Sequence, residues 1–233
     1  MVTINSNDVA VGEKRPLFIY ITGCDGTGKS TQAELLLQQL EAVGATPRHL
    51  WLRFPFLFSL PLLAYARWRG MSWYEDTGSV RHGYWDFRDS LLMRWVFPWV
   101  LLLDASLAAL RKVYLPLWRG EDIVCERFVL DMLVDMALAF DDESLHQQLP
   151  GRLYQRLLPN ETQIILLDLD APTIRERRAD MVFDRRLDAR LSAFRRIAAD
   201  YDLLMLSNTL PVADIGSDIW KRIGTDYEWR KST

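Results

Sequence analysis

Cysteine is almost missing from this chain: Cys24 and Cys125 are the only two in 233 residues. They show no metal-ligand spacing and cannot build a disulfide framework, so a reduced, cytoplasmic setting is the simplest reading. A basic surplus is missing as well, with 28 Lys and Arg against 31 Asp and Glu. That balance argues against nucleic acid as a partner, since wrapping it favours a basic excess. Residues 1–15 are polar, lack the apolar core of a secretion signal, and read as a flexible tail ahead of a single domain over 16–233. Neither an internal repeat nor a low-complexity segment occurs. Uninterrupted apolar runs are scarce too. Phe54 to Ala66 is too short to span a bilayer, and Trp95 to Trp118 carries Asp104, Arg111 and Lys112, so no membrane span is expected. Both read as buried helices, although nine tryptophans leave association with a membrane surface open.

What the chain does contain is a phosphate-binding loop pattern at Gly23-Cys24-Asp25-Gly26-Thr27-Gly28-Lys29-Ser30, preceded by an apolar run and followed by a helical one. Glycines let the backbone curl until successive N–H groups converge on phosphate oxygens, and the following helix adds its positive end. Lys29 is placed to neutralise the β- and γ-phosphates of ATP, and the Ser30 hydroxyl to give one oxygen to Mg²⁺. With Thr31 the loop forms the nucleotide-binding set: Gly23, Asp25, Gly26, Thr27, Gly28, Lys29, Ser30 and Thr31.

Around this loop the chain reads as alternating strands and helices. Leu17–Ile21 is a buried strand, and Lys29 to about Val43 a helix stopped by Gly44. Arg48 to Arg53 reads as a second strand ended by Phe54-Pro55. Helical patterns follow over Phe58–Arg69 and, after a linker from Gly70 to Gly83, over about Asp86–Trp118, with an interruption expected near Pro98. Trp73, Tyr74, Tyr84 and Trp85, in and after that linker, read as packing residues more readily than as ligand platforms. Asp122–Cys125 is the third strand, with Glu126-Arg127 at its carboxyl end, the edge where open parallel sheets bind ligands. Leu130–Phe140 and a short segment around Tyr154–Leu158 are helical, and Gln163–Leu167 is the fourth strand. Helices over Thr173–Ala179 and Arg186–Tyr201 flank a hinge at Asp180–Asp184. Leu203–Leu206 is the fifth strand and Pro211–Arg222 the closing helix. This order predicts a five-stranded parallel sheet covered on both faces, a three-layer α/β/α fold.

Several segments in this order resemble the thymidylate kinase family, within the P-loop nucleoside monophosphate kinase superfamily. Residues 23–31 are similar to its form of the loop, with an acidic residue two positions after the first glycine. Leu52-Arg53-Phe54-Pro55 looks like its second-strand exit, Glu126-Arg127-Phe128 its Asp-Arg-Tyr signature, and Leu167-Asp168-Leu169-Asp170-Ala171-Pro172 its fourth-strand end. Asp184-Arg185 is similar to the Asp-Arg of its lid, with Phe194 and Tyr201 at the family interval beyond, and the interval from Asp104 to Gly120 also fits. The resemblance runs from Leu17 to Ile219.

It implies a P-loop NTPase fold with a helical lid at about 175–190, and transfer of the γ-phosphate of ATP, with Mg²⁺, to a nucleoside monophosphate such as dTMP. By the same likeness, Lys29 and Arg127 are catalytic and Arg127 bridges donor and acceptor. Arg185, with one or more of Arg175, Arg177 and Arg178, closes over the transferring group. Arg53 anchors the acceptor phosphate, with Asp104, Asp131 and Asp135 on the acceptor side. Glu126 stands where the family has Asp, one methylene shorter, and holds a magnesium-bound water or acts as base; Ser30 and Glu126 are thus the metal-side residues. Glu-Arg at this point also resembles deoxynucleoside kinases. Leu101 and Ala105 replace the thymine-stacking aromatic and a base-reading arginine, and Asp131 and Asp135 replace a serine and an aromatic. Two carboxylates at i and i+4 share a helix face, favouring a donor-rich acceptor if that face lines the site. Otherwise Asp131 caps the helix and Asp135 is solvated. A non-phosphorylated acceptor (a nucleoside, sugar-like or lipophilic alcohol) and a non-catalytic nucleotide-binding regulator stay open. So does a homodimer through the long apolar helices, the way thymidylate kinases pair.

Overall fold

The computed structural model describes residues 16–76 and 81–232, with side chains described through 224. The tail expected over 1–15 lies outside the described residues. Five parallel strands form the central sheet in the order β2-β5-β1-β6-β7, with β1 Phe18–Gly23, β2 Arg48–Trp51, β5 Ile123–Glu126, β6 Gln163–Asp168 and β7 Met205–Ser207. Successive side chains of a strand point to opposite faces, and β1 divides accordingly. Phe18 and Tyr20 enter one core with α3 (Leu91–Ala109), α5 (Val129–Phe140) and α8 (Leu187–Asp200). Leu17, Ile19 and Ile21 enter the other, with α1 (Lys29–Ala42) and α9 (Val212–Ser232). Every β1 residue is therefore buried, as a central strand covered on both faces requires.

Five expectations are corrected. The linker from Gly70 to Gly83 contains a two-stranded antiparallel pair, β3 Ser72–Asp76 and β4 Arg81–Trp85. Its Trp-Tyr and Tyr-Trp pairs supply the strand propensity that a turn-rich reading passed over. The following helix consequently starts only at Leu91, where the Ser90 hydroxyl accepts from the Met93 amide. That helix runs through Pro98 without a break. The irregularity lies at Leu110–Tyr114, a π-turn in which the Leu115 amide reaches back to the Leu110 carbonyl. Pro116 follows, and its missing N–H takes away the next α-type bond, so the wider turn costs less here. Finally, the helix expected around Tyr154–Leu158 lies earlier, at α6 Leu149–Gln155. The last strand shifts later, to Met205–Ser207.

The long helical stretch Leu91–Trp118 is long and apolar enough to cross a bilayer by length and composition, and only 33% of its most apolar window is buried. Met93, Phe97, Leu101, Ala105, Ala109 and Val113, four residues apart, face the core. Trp95, Trp99, Leu103, Leu107, Leu110 and Trp118 lie on the other side and are exposed. The expectation of a buried helix thus holds for one face only. The short helix α2 (Leu60–Trp68) precedes this stretch, and α4 (Leu115–Trp118) is its last turn.

Candidate active site

Strands β1, β5, β6 and β7 all end at the same sheet edge, and the loop after β1 is the phosphate-loop motif. Gly26 and Gly28 have φ of +84° and +89°, which glycine adopts freely. A Cβ at Gly28 would stand 2.3 Å from Asn208 Nδ2, so the loop's underside is packed against the segment after β7. Asn208 donates to the Thr27 carbonyl at 2.7 Å. Sequence reading passed over Asn208; its only signal is a buried-type amide directly after the last strand.

Lys29 opens α1 and is only 5% exposed. Its ammonium donates to the Gly23 and Cys24 carbonyls at 2.9 and 2.7 Å, and burial lowers its pKa while Asp131 opposes that shift. A cation held at the foot of a glycine loop fits an anionic ligand. The Ser30 hydroxyl donates to Glu126 Oε2 at 2.7 Å, so a hydroxyl and a carboxylate converge beside the loop. These are hard oxygen donors suited to Mg²⁺. Among the described residues no group of three or more His, Cys, Asp or Glu forms a closed metal site. An ion here would therefore take most of its ligands from phosphates and water, which is the usual habit of Mg²⁺.

Arg127 follows Glu126 with φ +59°, a left-handed backbone that costs a non-glycine residue about 1–2 kcal/mol. The strained turn aims its guanidinium at the loop, where it pairs with Asp25 and lies 3.7 Å from Asp131. Asp25 keeps the pair at the loop, since its own backbone is part of the motif.

Three cavities adjoin one another along this edge. The first, of about 790 Å³, is lined by the loop residues Gly28, Lys29 and Ser30, by Arg127, and by Arg177 and Arg178 from the lid region. A second of about 200 Å³ shares Asp25 and Arg178 with it and adds Arg53, Arg81 and Arg190. The third, of about 270 Å³, shares Arg53, Gly83, Tyr84 and Arg190 with the second. Its remaining walls include Phe54, Tyr74, Trp85, Asp135 and Arg186. Of the four hairpin aromatics expected to be packing residues, Tyr74, Tyr84 and Trp85 thus line a cavity and Trp73 does not. Hydrogen bonds from Tyr84 to Asp184 at 3.2 Å and between His82 and the Asp180 carbonyl at 3.2 Å fasten the hairpin to the lid region.

Arg53 donates to Asp135 at 3.2 Å, and Arg190 to Asp184 at 2.6 Å with Asp135 another 3.6 Å away. Burial works against the Arg190 charge, yet Asp135 and Asp184 hold its pKa above the ordinary arginine value. The Nε atoms of Arg53 and Arg190 are buried without a hydrogen-bond partner. Arg186 donates to the Trp85 carbonyl at 2.6 Å, and burial lowers its pKa. Sequence reading passed over Arg186 and Arg190, because the start of α8 meets β4 only in the folded chain.

Other expected site residues are placed elsewhere. Asp104 is 2% exposed and accepts from the Leu57, Phe58 and Ser59 amides and the Ser59 hydroxyl, at 2.6 to 3.0 Å. These contacts tie the start of α2 to the middle of α3. Asp131 is 2% exposed and accepts from the Tyr20 and Thr22 hydroxyls and from the Phe128 amide at the start of α5. Its face does not line the acceptor-side cavity; the capping alternative describes its contacts. Asp135 alone of that pair reaches the cavity. Arg185 is 79% exposed, pairs with Glu75, and lines none of the three cavities, whereas Arg177 and Arg178 reach the loop. Arg175 pairs with Asp188. Leu101 and Ala105 are in the core.

No family model matches the chain. No curated protein matches it either. Among solved structures, a thymidylate kinase from Ehrlichia chaffeensis superposes with a TM-score of 0.53 at 14% identity, over 89% of this chain and 98% of that one. The parallel five-stranded sheet, the flanking helices and the glycine loop at its edge are therefore those of the P-loop α/β fold that thymidylate kinase has.

Proposed function

We propose that this protein is an ATP- and Mg²⁺-dependent phosphotransferase that moves the γ-phosphate of ATP to a nucleoside monophosphate, with a dTMP-like acceptor as the leading candidate. The observation that carries this is the continuity of the three cavities: a phosphate loop at one end, arginines at the junction, and an aromatic chamber at the other. Phosphoryl transfer needs alignment and charge neutralisation more than covalent help, and this layout supplies both. ATP and Mg²⁺, when bound, supply the transferable group and offset its charge. The loop amides and Lys29 would hold the donor's phosphates, with Ser30 and Glu126 on the metal side. Arg127 and Arg178 would face the transferring group, in place of Arg185. Arg53, with its buried unpartnered Nε, would take the acceptor's phosphate. The acceptor's ring would lie among Phe54, Tyr74, Tyr84 and Trp85, because Leu101 and Ala105 are spent on the core.

The test is an acceptor panel of monophosphates, nucleosides and sugars with ATP and Mg²⁺, followed by kinetics of Arg53→Ala. A rise in acceptor KM of about tenfold or more is expected; a change below about threefold would favour a non-phosphorylated acceptor. No acceptor-dependent ADP release at all would favour a regulator.

The exposed apolar face of Leu91–Trp118 is assigned to a second copy of the chain, since so long an apolar strip rarely stays open on a monomer. Sedimentation should give a dimer, and Leu103→Glu a monomer. Vesicle binding by a monomeric wild type would overturn that assignment.

A further inference from the structure

Glu126 is 3% exposed and its two oxygens are used differently. Oε2 accepts from the Ser30 hydroxyl at 2.7 Å, while Oε1 stands 2.8 Å from Nε2 of His49. An ionised carboxylate only accepts, so His49 Nε2 carries the proton and donates. The contact follows from the sheet. On the edge strand β2, Trp51 is in register with Glu126 and His49 with Val124. Residues two apart along a strand share a face, so His49 is the diagonal neighbour of Glu126.

We propose that His49 is a positioning residue for the metal-side carboxylate: by holding Oε1 while the Ser30 hydroxyl holds Oε2, it fixes the orientation of Glu126 toward the phosphate loop. This rests on the phosphotransferase reading above. The two bonds hold different oxygens of Glu126. A serine hydroxyl has one O–H to donate and two lone pairs, so Ser30 can face a metal ion and still donate to Oε2. The His49 bond holds Oε1, and the two together fix the rotation of the carboxylate. Glutamate also has one more rotatable bond than aspartate, so without a second anchor its carboxylate has more freedom to lose on binding. His49 is 44% exposed and lines none of the three cavities, so it acts through Glu126 and does not touch substrate. Hydrogen-bonded partners of metal-side ligands are typically worth 10- to 100-fold in metal affinity.

Calorimetric titration of the full-length protein with ADP, with and without Mg²⁺, reads this directly as the gain in ADP affinity that Mg²⁺ confers. His49→Ala is expected to lower that gain by about tenfold and leave ADP affinity without Mg²⁺ unchanged. His49→Gln, whose amide N–H can occupy the Nε2 position, is expected to restore it. Glu126→Gln and Ser30→Ala set the scale for full loss. Retention of the whole gain by His49→Ala, while Glu126→Gln loses it, would overturn the inference and leave the phosphotransferase reading standing. An unchanged gain in all four variants would remove the metal assignment itself, and the role of His49 with it. A half-exposed residue on an edge strand leaves little to destabilise, and thermal melts of each variant verify folding.

Discussion

Asp104→Ala is expected to weaken the fold and leave acceptor affinity intact, although the family likeness places this residue on the acceptor side. Its carboxylate accepts four hydrogen bonds, and two of them come from groups buried with it, the Ser59 amide at 2.9 Å and hydroxyl at 2.6 Å. Hydrogen bonds to a charged partner contribute about 1.5–3 kcal/mol each, so losing the two buried ones costs about 3–6 kcal/mol. The Leu57 and Phe58 amides belong to exposed residues, rehydrate, and add little. For a chain of this size the loss corresponds to a fall in Tm of roughly 6–24 °C. Urea denaturation followed by circular dichroism measures the first quantity, and steady-state kinetics at a temperature where the variant stays folded measures acceptor KM. A second reading comes from pH. Burial alone would raise the Asp104 pKa, but the Ser59 hydroxyl and the three amides outweigh it and hold it below the ordinary carboxylate value. A depressed folded-state pKa gives stability that is present above the unfolded value, near 4, and is lost as pH falls through the folded one. Wild-type stability should therefore decline below about pH 4 more steeply than that of the variant. A variant as stable as wild type, or one with intact stability and an acceptor KM raised more than about tenfold, would refute this reasoning.

Lys29→Met should abolish transfer, by about 10²–10³-fold or more, yet raise the melting temperature of the ligand-free protein, because burial disfavours the ammonium and lowers its pKa. A lower melting temperature would contradict the second half. Gly28→Ala should weaken ATP binding at least tenfold by calorimetry: its φ of +89° strains alanine by about 1–2 kcal/mol, and the new Cβ meets Asn208 Nδ2. Unchanged affinity would mean the loop tolerates both. Asp131→Ala should lower the urea midpoint by an amount equivalent to about 3–5 kcal/mol, since the Tyr20 and Thr22 hydroxyls and the charge of Arg127 lose a buried partner. An acceptor-side effect without destabilisation would restore its binding role.

The phosphate loop and the parallel strands were legible because both are local. Gly23 to Ser30 is contiguous, and a strand such as Phe18–Gly23 announces itself by an unbroken apolar run before glycine. The hairpin at 72–85 was not legible, since its strands are short, its aromatics look like core, and its stability comes from contact with Asp180 and Asp184 far along the chain. Carboxylates misled for the same reason. Asp131 and Asp135 are one helical turn apart, but Tyr20 and Thr22 from β1 draw the first inward while Arg53 and Arg190 meet the second at the cavity.

By itself, the order of residues determined where the glycine loop lies, which strands lie beside it, and that Glu126 and Arg127 stand at the end of a strand facing it. Only the tertiary structure decided which charges meet. Side chains from the segment after β2 and from β3, β4, α5 and α8 converge on one chamber because the sheet order and the hairpin bring them there. A charge's partner and exposure depend on segments up to about a hundred residues away, as between Tyr84 and Asp184, and no local pattern records such a distance.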